Sequence, residues 1–530
     1  MINGQLIQAE NGELLSRVLQ ENCNFKMPCA GQGHCGKCKV YAKGELSEPD
    51  AVEKRLLTAE ELAKGIRLAC RTRILGEAAV SWEQQGRSQI LLGEQAKVTG
   101  KKRLFQKLGA AVDIGTTTLA LQLYDESGLI AQTGCDNPQG RFGADVISRI
   151  ERSMEGERHA LAQAVRQGIN DLLIRASQTG GCDPAQIDTM VVTGNTSMLY
   201  LLTERDPQAL SQAPFQADWL AGEWVEGEAL DLICSRARVW LPPCISAFVG
   251  ADITTALLAV DILKGENNRL LVDIGTNGEM VLWKDGRLSC CATAAGPAFE
   301  GAGLSMGMQG EEGAISHVTW AEPEGNARHT VCEGFGEAAG HGVWEGPGEA
   351  TGHAACTAAQ SSFRVEVIGG GAPRGICGSG VIDAVYCLLK SGRLDETGYL
   401  EEETAVIGGE VTMNQEDIRK IQLAKSAICA GMETLLEREK ISAEQLDELL
   451  VAGGFGSFLN LESARGIGLL PKAEPKKTTV CGNAALAGAA KILWAAEEVE
   501  EAARIVNAAK PLNLAADQIF FDKYMEGMFF

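Results

Sequence analysis

Two turns that share the sequence Asp-Ile-Gly-Thr indicate that most of this chain consists of two related halves. Asp113-Ile-Gly-Thr-Thr-Thr118 and Asp273-Ile-Gly-Thr-Asn-Gly278 lie 160 residues apart in a chain of 530 residues. Each turn is flanked by apolar runs that predict β-strands, at Leu108–Ile114 and Leu119–Tyr124 and at Leu270–Ile274 and Glu279–Trp283. The repeated strand–turn–strand unit predicts two structurally related lobes.

The residue types in these turns suit a phosphate chain. A turn of Asp, Gly and Thr exposes backbone N–H groups and hydroxyls, and its aspartate can hold a hydrated Mg²⁺. One such turn alone fits an ordinary tight β-hairpin, whereas two copies favour two lobes that close on opposite sides of one nucleotide. A third Gly-rich turn, Ala452-Gly-Gly-Phe-Gly456, follows the predicted strand Glu448–Val451 and allows the backbone to lie against an adenine or ribose.

Four cysteines near the start of the chain have the spacing of an iron–sulfur site. Cys29, Cys35 and Cys38 share a Gly-rich loop in the pattern C-x5-C-x2-C, and Cys70 follows after 31 residues. Structural zinc sites usually combine two C-x2-C pairs, whereas three cysteines in one loop and a distant fourth are typical of ferredoxin-type [2Fe–2S] sites. The loop glycines allow the backbone to wrap tightly around such a cluster. This spacing predicts one-electron transfer.

A zinc knuckle and free thiols are the alternatives for this cysteine cluster. Cys23 also lies six residues before Cys29 and imitates a first ligand. The register that begins at Cys29 fits better, because Pro28 directly precedes the Gly-containing loop.

Strand and helix patterns predict an α/β protein of several parts. Residues 1–83 form a small α+β unit with a strand at Lys39–Lys43, a helix at Ala51–Lys64 and a strand at Ile74–Trp82. Residues 84–108 are polar and are predicted to be a linker. In the two lobes, residues 109–250 and 251–530, strands alternate with helical patterns, which indicates mixed or parallel sheets.

Residues 321–356 contain three copies of a twelve-residue unit, AEPEGNARHTVC, EGFGEAAGHGVW and EGPGEATGHAAC. This segment is too short, and too rich in Gly, Glu and Ala, for a solenoid with its own core. We therefore predict an expanded surface hairpin loop between strands near Ala314–Val318 and Phe363–Ile368. Two copies end in H-x2-C, formally a Cys₂His₂ zinc set, but duplication alone explains that spacing.

The composition excludes several classes of protein. Asp and Glu outnumber Lys and Arg by 70 to 48, and the resulting net charge of −22 is unsuited to nucleic acid or to an anionic membrane surface. No apolar run approaches the roughly 20 residues that span a bilayer, and Glu10, Glu13 and Glu21 are unlike a signal peptide. We therefore expect a cytoplasmic protein whose 17 cysteines are thiols or metal ligands rather than disulfides.

The three turns together resemble those of the acetate and sugar kinase/Hsp70/actin superfamily. The turn at Asp113 is similar to its first phosphate motif, the turn at Asp273 to its second, and Ala452-Gly-Gly-Phe-Gly456 to its adenosine motif. Asn195-Thr-Ser and Cys377-Gly-Ser-Gly380 match the regions where such proteins place connecting helices. The implied fold class is α/β, with an N-terminal α+β ferredoxin-like (β-grasp) domain and a two-lobed actin-like, RNase H-like ATPase domain.

Fusion to a ferredoxin-type domain narrows the resemblance to the reductive activators of corrinoid proteins. The similarity covers nearly the whole chain outside the triplicated segment, and it includes Asn137-Pro-Gln-Gly-Arg-Phe-Gly-Ala-Asp145, Leu271-Val-Asp-Ile-Gly-Thr-Asn-Gly-Glu279, Gly296-Pro-Ala-Phe-Glu300, Ile376-Cys-Gly-Ser-Gly380 and Val451-Ala-Gly-Gly-Phe-Gly456.

The resemblance implies a role for each candidate site residue. Iron ligation by a [2Fe–2S] cluster is assigned to Cys29, Cys35, Cys38 and Cys70. Binding of Mg²⁺ and of the water that attacks ATP is assigned to Asp113 and Asp273. Contacts to phosphates are assigned to Thr116, Thr117, Gly275, Thr276 and Asn277, and contacts to adenosine to Gly453, Gly454 and Gly456.

The implied reaction is the ATP-dependent reduction of a Co(II) corrinoid on a partner protein to Co(I), the nucleophile of methyl transfer. The Co(II)/Co(I) couple lies below a typical ferredoxin donor, and about 59 mV of mismatch costs roughly tenfold in the equilibrium constant for one electron. ATP binding and hydrolysis are therefore expected to drive the step. The expected partners are the corrinoid protein of a methyltransferase system, an upstream low-potential electron donor and, by analogy, a second copy in a homodimer. Neither nucleic acid nor membrane is expected as a partner.

Three other functions are alternatives to corrinoid reduction. One is an ATP-driven electron donor to a different low-potential acceptor, as in dehydratase activators of the same superfamily. Their [4Fe–4S] cluster disagrees with the C-x5-C-x2-C set. Another is a nucleotide-regulated redox carrier without turnover, which ATP hydrolysis stimulated by an acceptor would exclude. A sugar kinase fused to a ferredoxin lacks an identifiable sugar-site carboxylate.

Overall fold

The computed structural model describes residues 6–23, 25, 27, 31, 33, 36–82, 102–213, 215–264, 268–320, 363–453 and 458–530, together with the backbone of 341–344. The described chain divides into two compact units. The first unit comprises the described parts of 6–82 and 102–252 together with Ile492–Glu497, and the second those of Ile253–Lys491 and Glu498–Phe530. Most of the predicted linker and of the triplicated segment lies outside the described residues.

The N-terminal part of the first unit is a small antiparallel sheet with helices beside it. Its elements are α1 (Leu15–Cys23), β1 (Lys39–Leu46), α2 (Ala51–Leu56), α3 (Ala59–Ala63), β2 (Ile66–Leu68) and β3 (Ile74–Ser81). β1 lies between β2 and β3 and pairs antiparallel with both. Leu15, Leu19, Val40 and Leu68 belong to its core, which also includes Cys38 and Cys70.

Two details of this domain differ from the sequence prediction. The single helix predicted over Ala51–Lys64 is wrong, because Thr58 and Glu61 form a capping box that begins a second helix there. The strand predicted over Lys39–Lys43 continues to Leu46, with a register shift between Gly44 and Leu46.

The rest of the first unit is built on a six-stranded sheet. Its elements are β4 (Leu108–Ile114), β5 (Thr118–Asp125), β6 (Gly128–Asp136), α4 (Val146–Arg152), α5 (Arg158–Gly180), β7 (Ile187–Gly194), α6 (Thr196–Leu202), α7 (Gln208–Ser211), β8 (Glu223–Glu226) and β9 (Arg238–Leu241). A 3₁₀ helix, Pro138–Arg141, lies between β6 and α4. β4 is buried along nearly its whole length, as expected for a strand covered on both faces.

The second unit contains a second six-stranded sheet and a smaller four-stranded one. The elements along the chain are α8 (Ala251–Ala259), β10 (Arg269–Ile274), β11 (Gly278–Lys284), β12 (Arg287–Thr293), β13 (Ala314–Trp320), β14 (His341–Trp344), β15 (Phe363–Ile368), β16 (Gly375–Ile376), α9 (Gly378–Lys390), β17 (Thr404–Gly408), β18 (Val411–Asn414), α10 (Gln415–Arg438), β19 (Glu448–Ala452), α11 (Leu461–Gly466), β20 (Thr478–Gly482), α12 (Ala484–Trp494), α13 (Glu498–Ala508), β21 (Ala509–Pro511) and α14 (Gln518–Glu526).

The two large sheets share the same arrangement of five strands. The order is β6-β5-β4-β7-β9 in the first unit and β12-β11-β10-β19-β20 in the second. In both sheets the central strand has antiparallel neighbours on one side and parallel neighbours on the other. This shared topology confirms the prediction of two related lobes, in which β4 and β10 occupy the same position. Each leads into one of the two Asp-Ile-Gly-Thr turns, called here the first and second phosphate turns after the role predicted for them.

The predicted hairpin around the triplicated segment is present, with one addition. β13 and β15 pair antiparallel, as expected for strands that bracket this segment. In addition, the backbone of β14 pairs antiparallel with β15 at the edge of the sheet. A purely loop-like insertion was therefore an incomplete prediction, since Val343-Trp344 are strand-forming residue types. Among the described helices, none combines the length and apolar character that a membrane crossing needs.

Candidate functional site

The first phosphate turn connects β4 to β5. Ile114 and Leu119 form the last cross-strand pair, so four residues make the turn. A hydrogen bond from Gly115 N to Thr118 O (2.9 Å) closes it. Asp113 lies next to the end of β4 and is partly exposed. The sequence therefore places its aspartate at the carboxyl end of the central strand, as predicted.

Side chains from two neighbouring segments hold the backbone of the first turn. Asn137, which directly follows β6, donates from its backbone N–H to Thr117 O (2.8 Å) and from Nδ2 to Gly115 O (2.8 Å). Arg149 of α4 is only 1% exposed and donates from Nη2 to Thr116 O (2.6 Å). Sequence reasoning missed Arg149, because an arginine in an amphipathic helix gives no signal that it points inward.

The second phosphate turn connects β10 to β11 and comprises Gly275, Thr276 and Asn277. A hydrogen bond from Gly275 N to Asn277 O (3.0 Å) closes it, and Gly296 N donates to Thr276 O (2.9 Å). The Thr276 hydroxyl donates to Glu300 Oε1 (2.6 Å). This hydroxyl is thus held in a fixed direction by a carboxylate that belongs to the motif Gly296-Pro-Ala-Phe-Glu300 but was given no role in the sequence analysis.

The hydrogen bonds show which residues of the two turns correspond. The carbonyl of Thr117 accepts the N–H of Asn137, and the carbonyl of Thr276 accepts the N–H of Gly296. Both donors lie in the segment after the third strand of their sheet. Thr117 and Thr276 are therefore equivalent, and Thr116 belongs to the one-residue-longer turn of the first lobe.

A pair of carboxylates distinguishes the second lobe. Asp273 pairs in register with Glu279 of β11, and residues opposite each other in an antiparallel pair point to the same face. In the first lobe the partner of Asp113 is Ala120. Among the described residues, no group of three or more His, Cys, Asp or Glu side chains has the geometry of a metal site. The Mg²⁺ role of the two aspartates stays a prediction.

The backbone at the predicted adenosine turn requires glycine. Gly453 follows β19 with φ +117°, and a Cβ on it would lie 2.3 Å from Ile274 O. Its N–H donates to Gly482 O (3.1 Å). Gly454 and Gly456 lie outside the described residues.

Two of the four predicted cluster cysteines are described, and they lie together. The sulfurs of Cys38 and Cys70 are 3.3 Å apart and both residues are buried. Two sulfurs bound at about 2.3 Å to one tetrahedral metal ion would lie roughly 3.8 Å apart, so this pair suits a shared iron after a small separation. Cys29 and Cys35 lie outside the described residues.

The glycines of the cysteine loop have the backbone conformation that the sequence analysis expected. Gly31, Gly33 and Gly36 have φ values of +82°, +73° and +66°. A Cβ on Gly31 would lie 4.0 Å from Cys70 Cβ. The Gly-rich loop therefore passes beside the distant fourth cysteine, and the residues present fit a [2Fe–2S] cluster.

A buried ion pair fixes the segment that carries Cys70. Glu53 of α2 accepts hydrogen bonds from Arg67 Nε (3.0 Å) and Nη2 (2.8 Å), Leu68 N (2.9 Å) and Thr72 Oγ1 (3.3 Å). Burial raises the pKa of this carboxyl, but the hydrogen bonds from Arg67 and Leu68 outweigh it and bring the pKa below its usual value. Glu53 thus positions Cys70 from both sides.

The cysteine pair at Cys290 and Cys291 behaves as apolar core. Both residues are at most 1% exposed. Burial raises the pKa of Cys290 to about 12, so its thiol stays protonated. These thiols pack as small apolar side chains.

Comparisons with known proteins agree with this architecture. The family model described as "2Fe-2S iron-sulfur cluster binding domain" matches residues 1–75. The model "RACo middle region" matches residues 108–265, and "C-terminal domain of RACo the ASKHA domain" matches residues 267–530.

Two relatives and one solved structure match over most of their lengths. "Corrinoid activation enzyme RamQ" of Eubacterium limosum is 32% identical over 455 residues, which are 80% of this chain and 70% of that protein. "[Co(II) methylated amine-specific corrinoid protein] reductase" of Methanosarcina barkeri is 25% identical over 431 residues, 79% of this chain and 76% of that protein. The solved structure "Reductive activator for corrinoid,iron-sulfur protein" has a TM-score of 0.70 at 25% identity, and the match covers 100% of this chain and 97% of that chain.

The fold and the paired turns define an ATPase of the acetate and sugar kinase, heat-shock protein and actin type, joined to a [2Fe–2S] ferredoxin-type domain. The chain belongs to the RACo family, the reductive activators of corrinoid proteins. Its cofactors are accordingly a [2Fe–2S] cluster and Mg-ATP.

Proposed function

We propose that this chain catalyses the ATP-dependent reduction of a Co(II) corrinoid, bound to a partner protein, to Co(I). The observation that carries the proposal is the presence in one chain of a two-cysteine centre, Cys38 and Cys70, and two phosphate turns of matching topology. The names of the relatives, a corrinoid activation enzyme and a Co(II) corrinoid protein reductase, support the same substrate class.

In this proposal, Cys29, Cys35, Cys38 and Cys70 hold the [2Fe–2S] cluster. The cluster, when bound, supplies single electrons, at about −400 mV if it is plant-like. Glu53 and the loop glycines keep the cysteine-bearing segments in place.

The two phosphate turns are proposed to serve one Mg-ATP. The proposal assigns the metal and the attacking water to Asp113 and Asp273. It assigns the phosphates to Thr116, Thr117, Gly275, Thr276 and Asn277, and the adenosine side to Gly453, Gly454 and Gly456. The bonds that close and brace both turns support this assignment, because they fix the turn backbone before any ligand arrives.

The proposed domain division is 1–83 for the ferredoxin-type domain, 84–108 for the linker, 109–250 for the first lobe and 251–530 for the second. The division between compact units after Asp252 lies close to the proposed boundary of the lobes. We further propose a corrinoid protein of a methyltransferase system and a low-potential donor as partners, assembly as a homodimer, and a cytoplasmic location. The described cysteines are free thiols rather than disulfide-bonded, which fits a reducing compartment.

An anaerobic optical assay tests the function. Reduced protein is mixed with a Co(II) corrinoid protein, with and without Mg-ATP, and the absorption of Co(I) is followed. Co(I) that forms only with Mg-ATP supports the proposal. The variant Asp273→Asn should lower both Co(I) formation and ATP hydrolysis at least about 100-fold, whereas Asp285→Asn, in the exposed β11–β12 loop, should leave both unchanged.

Three other results would contradict parts of the proposal. Acceptor-stimulated ATP hydrolysis without Co(I), tested with several corrinoid proteins, would favour a different low-potential acceptor. An intact reduced cluster without any acceptor-stimulated hydrolysis would indicate a nucleotide-regulated redox carrier. Repeated turnover with a non-hydrolysable ATP analogue would contradict the role of hydrolysis.

A further inference from the structure

The segment Asn137–Gly143, called here the bridging segment, lies between the first phosphate turn and the ferredoxin-type domain within the first compact unit. Its middle is the 3₁₀ helix Pro138–Arg141, for which Asn137 is the N-cap. The Asn137 side chain accepts a hydrogen bond from Gln139 N (2.9 Å). The proposed reaction assigns no role to this segment, although its polar residues Asn137 and Gln139 are buried.

Both ends of the bridging segment are tied to the first phosphate turn. At its start, Asn137 bonds the carbonyls of Gly115 and Thr117, each at 2.8 Å. At its end, Arg149 donates from Nε to Gly143 O (2.9 Å) and from Nη2 to Thr116 O (2.6 Å). A shift in the turn backbone must therefore move one or both ends of the segment, since buried polar groups rarely give up their partners.

The middle of the segment is anchored and cannot absorb such a shift by itself. Gln139 is 0% exposed, and its Nε2 donates to Leu161 O of α5 (3.0 Å). The outer side of the segment is the side that carries Arg141. The Arg141 guanidinium lies 4.8 Å from the centre of the Phe142 ring.

That outer side contacts the ferredoxin-type domain. Gln20 of α1 donates from Nε2 to the carbonyl of Arg141 (3.0 Å). On its other face, α1 places Leu15 and Leu19 in the same small core as Cys38 and Cys70. Along the chain, α1 ends six residues before Cys29. A displacement of α1 would therefore disturb the packing of the core that contains Cys38 and Cys70.

We propose that the bridging segment couples the occupancy of the first phosphate turn to the docking of the ferredoxin-type domain, with Gln20 as the contact on α1. Asn137 and Arg149 are positioning residues that connect the turn to the segment. The inference rests on the proposed function, because the coupling requires that the first phosphate turn bind nucleotide. The segment that receives the effect is α1 of the same chain, which contacts the bridging segment at Arg141.

Hydrogen exchange of the full-length, cluster-loaded protein under anaerobic conditions tests this coupling. Exchange is compared with and without Mg-ADP or a non-hydrolysable ATP analogue. In the wild type, nucleotide should slow exchange at the turn and also change the exchange of α1 by about three- to tenfold, the range expected for one hydrogen bond. In Gln20→Ala the turn should respond as before, while the response of α1 falls below about twofold.

Further variants separate coupling from general damage. Gln20→Glu keeps the size of the side chain but replaces the donor by an acceptor that faces Arg141 O, so it should also abolish the response of α1. Arg149→Lys cannot reach two carbonyls with one rigid fork and should weaken the response of α1 while the second turn stays protected. Gln8→Ala, an exposed glutamine of the same domain, should behave as the wild type.

Each contrary result has a distinct meaning. An α1 response in Gln20→Ala and Gln20→Glu as large as that of the wild type contradicts the role of Gln20. Protection at the turn without any response of α1 in the wild type contradicts the coupling and leaves the proposed function intact. Absence of protection at both turns contradicts the proposed function and, with it, this inference.

Discussion

Gly194 and Gly453 occupy equivalent positions in the two lobes. A Cβ on Gly194 would lie 2.8 Å from Ile114 O, and a Cβ on Gly453 would lie 2.3 Å from Ile274 O. Each glycine ends or follows the parallel strand beside the phosphate-turn strand. In both lobes, the backbone of a glycine thus contacts the end of the strand that leads into the phosphate turn. The local sequences, Thr193-Gly-Asn195 and Ala452-Gly-Gly454, differ.

Replacing Gly453 by alanine should impair the second lobe more than an ordinary glycine replacement. The added Cβ would collide with Ile274 O, and φ of +117° is unfavourable for alanine. We expect at least a tenfold loss of nucleotide affinity, about 1.4 kcal/mol or more. Gly286→Ala is the matched control, because Gly286 has φ +78° and nothing within 4 Å of a Cβ. Titration with a fluorescent ATP analogue measures both, and equal affinities would show that the close approach is dispensable.

Glu300 should contribute to ATP hydrolysis although it lies outside the two phosphate motifs. Its carboxylate accepts the hydroxyl of Thr276 at 2.6 Å and thereby fixes where that hydroxyl points. In Glu300→Gln the amide replaces a charged acceptor, so we expect a fall in kcat of about tenfold, the size of one charge-assisted hydrogen bond. Glu410→Gln, on an exposed turn, is the control. Steady-state ATPase kinetics measure kcat for both variants. An unchanged kcat in Glu300→Gln would show that Glu300 does not contribute to ATP hydrolysis.

The cysteine register can be settled with two single variants. Cys70→Ser should abolish assembly of the [2Fe–2S] cluster, because its sulfur lies 3.3 Å from that of Cys38 in the buried centre. Cys23→Ser should retain the cluster, since the register that begins at Cys29 does not use it. Cys182→Ser, in the first lobe, controls for general effects of thiol loss. Iron content and the electron paramagnetic resonance of the reduced protein report assembly, and loss of the cluster in Cys23→Ser would shift the first ligand to Cys23.

The pair of His317 and Asp383 should make the stability of the second lobe depend on pH. His317 Nδ1 lies 3.0 Å from Asp383 Oδ2, and Asp383 is 1% exposed. The hydrogen bond to Asp383 raises the pKa of His317 against the opposing effect of burial, and the charge of Glu366 adds to the rise. Because the folded pKa exceeds the unfolded value, the stabilisation is complete below about pH 6.5 and is lost as pH rises through the folded pKa.

His317→Gln removes this contribution. The urea midpoint for unfolding of β13 should therefore differ most between wild type and variant at about pH 5.5, and the difference should shrink towards about pH 8.5. Pulse-labelling hydrogen exchange follows this sheet separately from the other parts of the chain, as a protein of several domains requires. A difference that grows with rising pH would show that the histidine is neutral in the fold.

The sequence predicted the parts of the fold that repeat or that need special residues. The duplicated turn led to two lobes, and the same five-strand order in both sheets confirms them. Glycine spacing led to the wrapped cysteine loop, where Gly31, Gly33 and Gly36 have positive φ values. Both successes rest on local requirements, namely a turn that exposes N–H groups and a backbone that only glycine adopts readily.

The sequence was less informative where distant residues meet. Glu300 reaches Thr276 across 24 residues, and Arg149 reaches Thr116 across 33 residues. An acid or an arginine in a helix is normally solvated, so neither gives a local signal of its inward role. The two helices at Ala51–Leu56 and Ala59–Ala63 were merged because the helical periodicity outweighed the capping signature of Thr58.

The first lobe contains residues from near the C-terminal end of the sequence, Leu493 and Trp494, in its packing. Trp494 packs edge-on against Phe105 and Tyr124, with ring centres 5.1 and 5.9 Å apart, and Leu104 N bonds Leu493 O (2.8 Å). During synthesis, the ribosome must therefore add almost 400 further residues after Phe105 before Trp494 can pack against it, which takes roughly 20 to 80 s at 5–20 residues per second. The core of the first lobe thus stays incomplete until nearly all of the second lobe has been synthesised. No single cut after the first lobe can release it in complete form.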